Sequence, residues 1–168
     1  MCSYITEQTE INGSGRGTKG WFPLRQANVY YDHPFHAPLD HALTIDFVNG
    51  ALGPGARVAV ELSAKSAMGL VEKIHATVGT DEDQQKGTQP EMCTGIVETA
   101  EIFGSGKGHQ GWLAVQRADV YSDQPSHTPL EVALNIDFLN AAEGHPGRIA
   151  VELSVESARN LVQKVNAA

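Results

Sequence analysis

The sequence predicts an α+β protein built from two tandem ββββα repeats that form a pseudo-twofold intramolecular dimer of mainly antiparallel sheets. Three observations lead to this class. The chain of 168 residues contains one unit written twice. Apolar residues alternate with a period of two in four segments of each copy, and each copy ends in a segment of helical period. Because one four-stranded sheet with a single helix is marginally stable, we expect the two copies to pair.

The internal repeat has an offset of 91 positions (Met1 to Met92) and continues without a gap to the C-terminus. The segment Arg-Val-Ala-Val-Glu-Leu-Ser at 57–63 returns as Arg-Ile-Ala-Val-Glu-Leu-Ser at 148–154. Roughly half of the aligned positions are identical, which is far more than a shared secondary-structure pattern produces. The second half is therefore interpreted as a copy of the first.

The repeat also predicts where the chain divides. The first ββββα repeat is expected to span 1–78 and the second 92–168. Residues 79–91 are polar and follow no pattern, so they are interpreted as a linker.

Each copy is predicted to contain four strands and then a helix. In the first copy the glycine cluster at 13–17 is interpreted as a turn that closes the first strand, and 49–55 as the loop of a later hairpin. The helix is indicated by apolar residues at i, i+3, i+4 and i+7, namely Ala67, Leu70, Val71 and Ile74. Ser63, and Ser154 in the second copy, are predicted to be the N-caps.

Composition excludes several classes of protein. With 41% hydrophobic and 19% charged residues the chain is globular. The net charge of −8 makes nucleic acid an unlikely partner, because affinity for a phosphate backbone depends on Lys and Arg. No apolar run is long enough to span a membrane and no signal peptide is visible, so a cytoplasmic protein without a membrane partner is expected. Its two cysteines are then thiols.

Candidate catalytic residues come from the polar positions that both copies retain. Asp32 and His36 recur as Asp123 and His127. A carboxylate that orients an imidazole is a suitable general acid–base couple near neutral pH. The alternative is an Asx-type turn that carries a surface histidine.

Candidate ligand-binding residues lie on the predicted strands. Asp46, Arg57 and Glu61 are expected on the same side of two adjacent strands, and Tyr30 and Trp21 are further candidates. These side chains form either a solvated ladder of ion pairs or the wall of a pocket in which Arg57 holds an anionic ligand.

A metal site is a second possibility. Cys2, His33, His36 and His41 are ligand types that suit zinc or another transition metal. The second copy lacks the counterparts of His33 and His41, so such a site would exist once. Without it, the sequence implies no cofactor.

Several motifs carry a resemblance to a known family. They are the opening Met-Cys, the Gly-Ser-Gly-Arg/Lys-Gly cluster, Gly-Trp and Tyr-x-Asp-x-Pro-x-His-x-Pro-Leu. Together they resemble a family of short bacterial domains of unknown function, each about one copy long. The resemblance implies a small cytoplasmic protein of actinobacterial type and no particular activity. The order of strands and helix is also similar to Whirly, PUR and PC4-type folds, which bind single-stranded nucleic acid.

The sequence thus favours a small-molecule-binding protein, or a cofactor-independent enzyme of bacterial specialised metabolism, with acid–base chemistry and a pocket at the repeat interface. Metal binding is the alternative, and binding of single-stranded nucleic acid ranks last. A further homo-oligomer is left open.

Overall fold

The structure is a computed structural model. It describes residues 6–17, 20–34, 36–53, 56–78, 97–108, 111–123, 133–140 and 148–167, and every structural statement below concerns these ranges. The predicted linker, together with Cys2 and His127, lies outside them.

Four strands and a helix follow one another in each half of the chain. The first half contains β1 (Thr6–Gly17), β2 (Gly20–Asp32), β3 (Ala42–Val48), a 3-10 turn (Gly50–Leu52), β4 (Arg57–Leu62) and helix α1 (Ala64–Val78). The second half contains β5 (Glu98–Gly108), β6 (Gly111–Asp123), β7 (Ala133–Leu139), β8 (Arg148–Leu153) and helix α2 (Val155–Ala167).

The eight strands form one closed antiparallel barrel in the order β1 to β8. The predicted α+β class, a pseudo-dimer of two ββββα sheets, is therefore wrong. Closure depends on two seams: β4 pairs with β5 at the first seam, and β8 pairs with β1 at the second seam. Both edge strands of each half are paired with strands of the other half. The two halves are therefore joined edge to edge in one sheet, and not as two separate sheets.

The glycine cluster makes the seams possible. Residues 13–17 lie inside β1, and the expectation of a turn there is wrong. A Cβ at Gly13 would collide with the carbonyl oxygen of Glu152, and a Cβ at Gly104 with that of Glu61. Each glycine therefore permits a close backbone approach that any other residue would block.

The core is continuous from the barrel interior to the helices. Alternate residues of β3 and β4 are buried with those of β7 and β8, and they include Phe47 and Phe138, both fully buried. Burial of a large apolar side chain stabilises the fold by about 1.5–3 kcal/mol. None of the helices in the described ranges is long and apolar enough to cross a membrane.

Each helix packs on the first strand of the other half. Helix α1 lies on β5, where Ser66 Oγ accepts a hydrogen bond from the backbone N–H of Phe103 at 2.7 Å. Helix α2 lies on β1, where Ser157 Oγ accepts from the N–H of Asn12 at 2.7 Å. Ser63 and Ser154 are the N-caps that the sequence predicts, since their hydroxyls accept from the N–H three residues later.

Candidate functional site at the first seam

A row of polar side chains crosses the barrel wall at the first seam. Tyr30, Thr44, Glu61 and Ser105 are direct partners on four successive strands. The residues on either side of Thr44 and Glu61 belong to the apolar core, so this row lies on the opposite face of the sheet. Glu61 and Ser105 are nevertheless only 2% and 1% exposed. The residues after β2 provide part of this cover.

Glu61 holds the segment that follows β2. Its Oε1 accepts hydrogen bonds from the backbone N–H groups of His36 at 2.8 Å and Ala37 at 3.0 Å. Bonds from N–H groups to a carboxylate are roughly twice as strong as neutral ones. A buried carboxylate thus fixes the backbone at His36 against the barrel.

The ring of His36 is held by the other half of the chain. Its Nδ1 lies 2.9 Å from Ser105 Oγ on β5. The ring stacks on the indole of Trp112 on β6, with 5.5 Å between centroids and 11° between planes. His36 itself is exposed, so a solute can approach the ring. The result is an accessible imidazole whose backbone and ring are both constrained.

Tyr30, the first member of this row, forms a hydrogen-bonded group with Asp46 and Arg57. Asp46 Oδ2 accepts from the Tyr30 hydroxyl at 3.2 Å, and Oδ1 accepts from two N–H groups of Arg57 at 2.8 and 3.0 Å. Burial and the nearby Asp46 carboxylate raise the pKa of Tyr30 to about 12. The guanidinium of Arg57 is therefore already paired with a protein carboxylate.

The second half contains the same group with a looser ion pair. The Tyr121 hydroxyl donates to Asp137 Oδ2 at 3.1 Å, but Arg148 Nε lies 3.6 Å from Asp137 Oδ1. Burial is the main cause that raises the pKa of Asp137 above its usual value, and burial likewise raises the pKa of Tyr121 to about 12. Of the three charged residues that the sequence predicts on one face, Asp46 and Arg57 are in contact, whereas Glu61 binds the backbone after β2.

The three histidines between β2 and β3 separate into two places. His33 Nδ1 donates to the backbone carbonyl of Asp40 at 2.8 Å, and its ring lies 4.6 Å from that of His41. His36 instead contacts the first seam. Within the described part of the chain no group of three His, Cys, Asp or Glu side chains is placed to hold a metal ion. The four-ligand site stays a prediction, since Cys2 is outside this part.

The remaining candidates lie elsewhere or have other contacts. Asp32 Oδ1 accepts from the backbone N–H of the next residue, His33, at 2.7 Å. Asp123 is exposed at the end of β6. Trp21 is the register partner of Arg16 on the first hairpin, so it is Trp112, from the other half, that reaches His36.

Sequence reasoning missed Ser105 and Trp112. Ser105 belongs to the second copy of the glycine cluster that the sequence predicts to be a turn, and Trp112 is the copy of the candidate Trp21. One signal could have indicated the first of them. In a strand the glycines of Gly-Ser-Gly lie on one face, where a second backbone can approach, and the serine points to the other face.

The fold and the site define a closed eight-stranded antiparallel barrel whose two halves jointly build a polar site on the outer wall. A model of the family described as a family of unknown function, DUF6295, matches residues 1–87 and 92–168. The chain belongs to this family and carries its domain twice in tandem, which confirms the internal repeat. No curated protein matches the chain, and no solved structure does.

Proposed function

We propose that the protein binds a small molecule on the first seam and uses His36 as its acid–base group, without a cofactor. One observation carries the proposal: the exposed ring of His36 is held by Ser105 and Trp112 of the other half, while buried Glu61 holds its backbone. Constraining one exposed side chain from three directions is typical of a preorganised binding or catalytic residue.

The chemistry follows from the contacts of the ring. Imidazole is the side chain best suited to exchange protons near neutral pH. With Nδ1 beside Ser105 Oγ, the other ring nitrogen is left to meet a ligand, and Ser105 acts as the positioning residue. Tyr30, Asp46 and Arg57 would form the adjoining wall and orient a polar group of the ligand.

The ligand that suits this surface has a hydrogen-bonding group next to a planar or apolar part. The first would meet the imidazole and the second the half-buried indole of Trp112. The resemblance of the motifs favours the cytoplasm of a bacterium as the setting. We include a role in specialised metabolism in the proposal.

A fragment screen by NMR tests the proposal. Heteroaromatic fragments at millimolar concentration are added to labelled protein, and the signals of the His36 ring and the Trp112 indole N–H are followed. We expect a subset of fragments to shift both signals and to lose affinity in His36→Ala. His33→Ala is the matched control, because it removes an exposed histidine of the same segment that does not contact the seam.

Two results would contradict the proposal. One is a screen without any fragment that shifts the two signals. The other is a set of fragments whose affinity falls equally in His36→Ala and His33→Ala, since that would indicate binding unrelated to the seam.

A further inference from the structure

An open cavity of about 600 Å³ lies on the first hairpin, outside the site described above. It is lined by residues 11–14 of β1 and 21–25 of β2. It opens where β1 bulges between Glu10 and Gly13 and the register of the two strands shifts. The volume is within the range of small-molecule pockets, about 300–1,000 Å³.

The lining combines the indole of Trp21 with the guanidinium of Arg25. Trp21 is half-buried, whereas Asn12 and Arg25 are exposed. Phe22, the next residue of β2, packs against the core on the opposite face of the strand. Among the described residues Arg25 takes part in no ion pair, unlike Arg57, Arg117 and Arg148, which each lie beside an aspartate. In a chain with 20 acidic and 12 basic side chains, a guanidinium that no described carboxylate pairs with can hold an anionic ligand.

The second hairpin lacks the polar part of this lining. It keeps the tryptophan as Trp112, but the counterparts of Asn12 and Arg25, 91 positions later, are Phe103 and Gln116. The amide and the cation are thus particular to the first hairpin, and the chain provides its own comparison for their role.

We propose that the cavity of the first hairpin binds an aromatic carboxylate. The ring of the ligand packs against Trp21, and its carboxylate is held by the planar fork of Arg25 and the amide of Asn12. A single negative charge suits the site. The net charge of −8 opposes further anionic groups, and the buried carboxylate of Glu152 lies opposite Ser14 across the second seam.

Benzoate is a suitable probe, with acetate as the anion without a ring and benzamide as the ring without a charge. The indole N–H signal of Trp21 is assigned by its persistence in Trp112→Phe. We expect benzoate to shift this signal and to bind at least about tenfold more tightly than either comparison compound. A tenfold difference in affinity corresponds to about 1.4 kcal/mol of binding free energy.

Arg25→Gln and Asn12→Phe introduce the residues of the second hairpin and test the two polar contacts. Each is expected to weaken benzoate binding about tenfold, whereas Arg117→Gln removes the same charge from an ion pair on β6 and leaves the affinity unchanged. Equal losses in Arg25→Gln and Arg117→Gln would overturn the proposal, as would equal affinity for acetate. Shifts confined to the His36 ring would also overturn it, because benzoate would then bind at the first seam.

Discussion

The ring of His36 lies parallel to the indole of Trp112, although the two residues come from different halves of the chain. Trp112 follows the second glycine cluster, and His36 follows the second strand of the first half. They meet because β4 and β5 pair at the first seam. The orientation of the proposed acid–base residue is therefore a property of the closed barrel. Substitutions at the first seam should change the NMR signals of the His36 ring.

Ser105→Ala should alter the tautomer populations of His36. The hydroxyl lies 2.9 Å from Nδ1, and its loss removes the partner that distinguishes the two ring nitrogens. The free energy of unfolding should fall by about 0.5–1.5 kcal/mol. The measurement is a long-range 1H–15N spectrum of the ring with a urea titration. Ser14→Ala, the equivalent buried serine of β1, should lower stability similarly and leave the His36 ring unchanged. An unchanged ring in Ser105→Ala would contradict the positioning role.

Glu61→Ala should release the segment after β2. The substitution leaves the backbone N–H groups of His36 and Ala37 without their acceptor and opens a cavity, so we expect a loss of about 2–4 kcal/mol. Hydrogen exchange at these two amides should become faster than at the β3 amides. Glu152→Ala, the sister substitution at the second seam, should destabilise the barrel while the two amides keep their protection. Equal protection in both variants would show that Glu61 does not anchor the segment.

Stability should fall at alkaline pH because of Tyr30 and Tyr121. In the folded protein the pKa of each phenol is raised from 10.0 to about 12. A raised pKa means that the folded state holds the proton more tightly. This contribution is complete below pH 10 and is lost as the pH rises through about 12. Phenolate absorbance and urea titrations across this interval measure it.

The double variant Tyr30→Phe, Tyr121→Phe should lose both the late phenolate transition and this part of the alkaline dependence. Tyr31→Phe removes a more exposed phenol and should keep both. If the double variant retained the late transition, the assignment to these two half-buried phenols would be wrong.

Asp46→Asn and Asp137→Asn should differ in cost at neutral pH. Asp46 accepts two close bonds from Arg57, whereas burial disfavours the charged form of Asp137 and Arg148 lies farther from it. We therefore expect Asp137→Asn to be less destabilising by about 1 kcal/mol. The raised pKa of Asp137 adds stability that is complete below pH 3.8. This stability is lost as the pH rises through the pKa that Asp137 has in the folded protein. Urea titrations at acidic and neutral pH check both points, and equal costs would contradict the difference.

Gly104→Ala should open the first seam. The new Cβ would collide with the carbonyl oxygen of Glu61, and because the obstacle is backbone, β5 itself must move. We expect a loss of about 3 kcal/mol or more, together with altered His36 signals. Gly69→Ala is the control in helix α1, where a Cβ meets open space, and it should stabilise the protein by about 0.5–1 kcal/mol. A neutral Gly104→Ala would show that the seam tolerates a wider spacing.

The features that the sequence predicts correctly are local ones. The repeat is visible in residue identities alone. The alternation in β3 and β4 is a period of two, and the N-caps Ser63 and Ser154 act on an N–H three residues away. The contact between Asp46 and Arg57 follows from a hairpin with a short connection. In each case the interacting groups are close in the chain, so the residue pattern itself carries the information.

By itself, then, the sequence determined two copies of a unit of four strands and a helix, and the charged face of its hairpin. Only the tertiary structure decided that the strands close into one barrel, that each helix packs on the other half, and that His36 meets Ser105 and Trp112. The reason is that the seams are made by backbone N–H and C=O groups, which every residue carries, between segments far apart in the chain. Periodicity shows that a strand exists, but not which edge it joins.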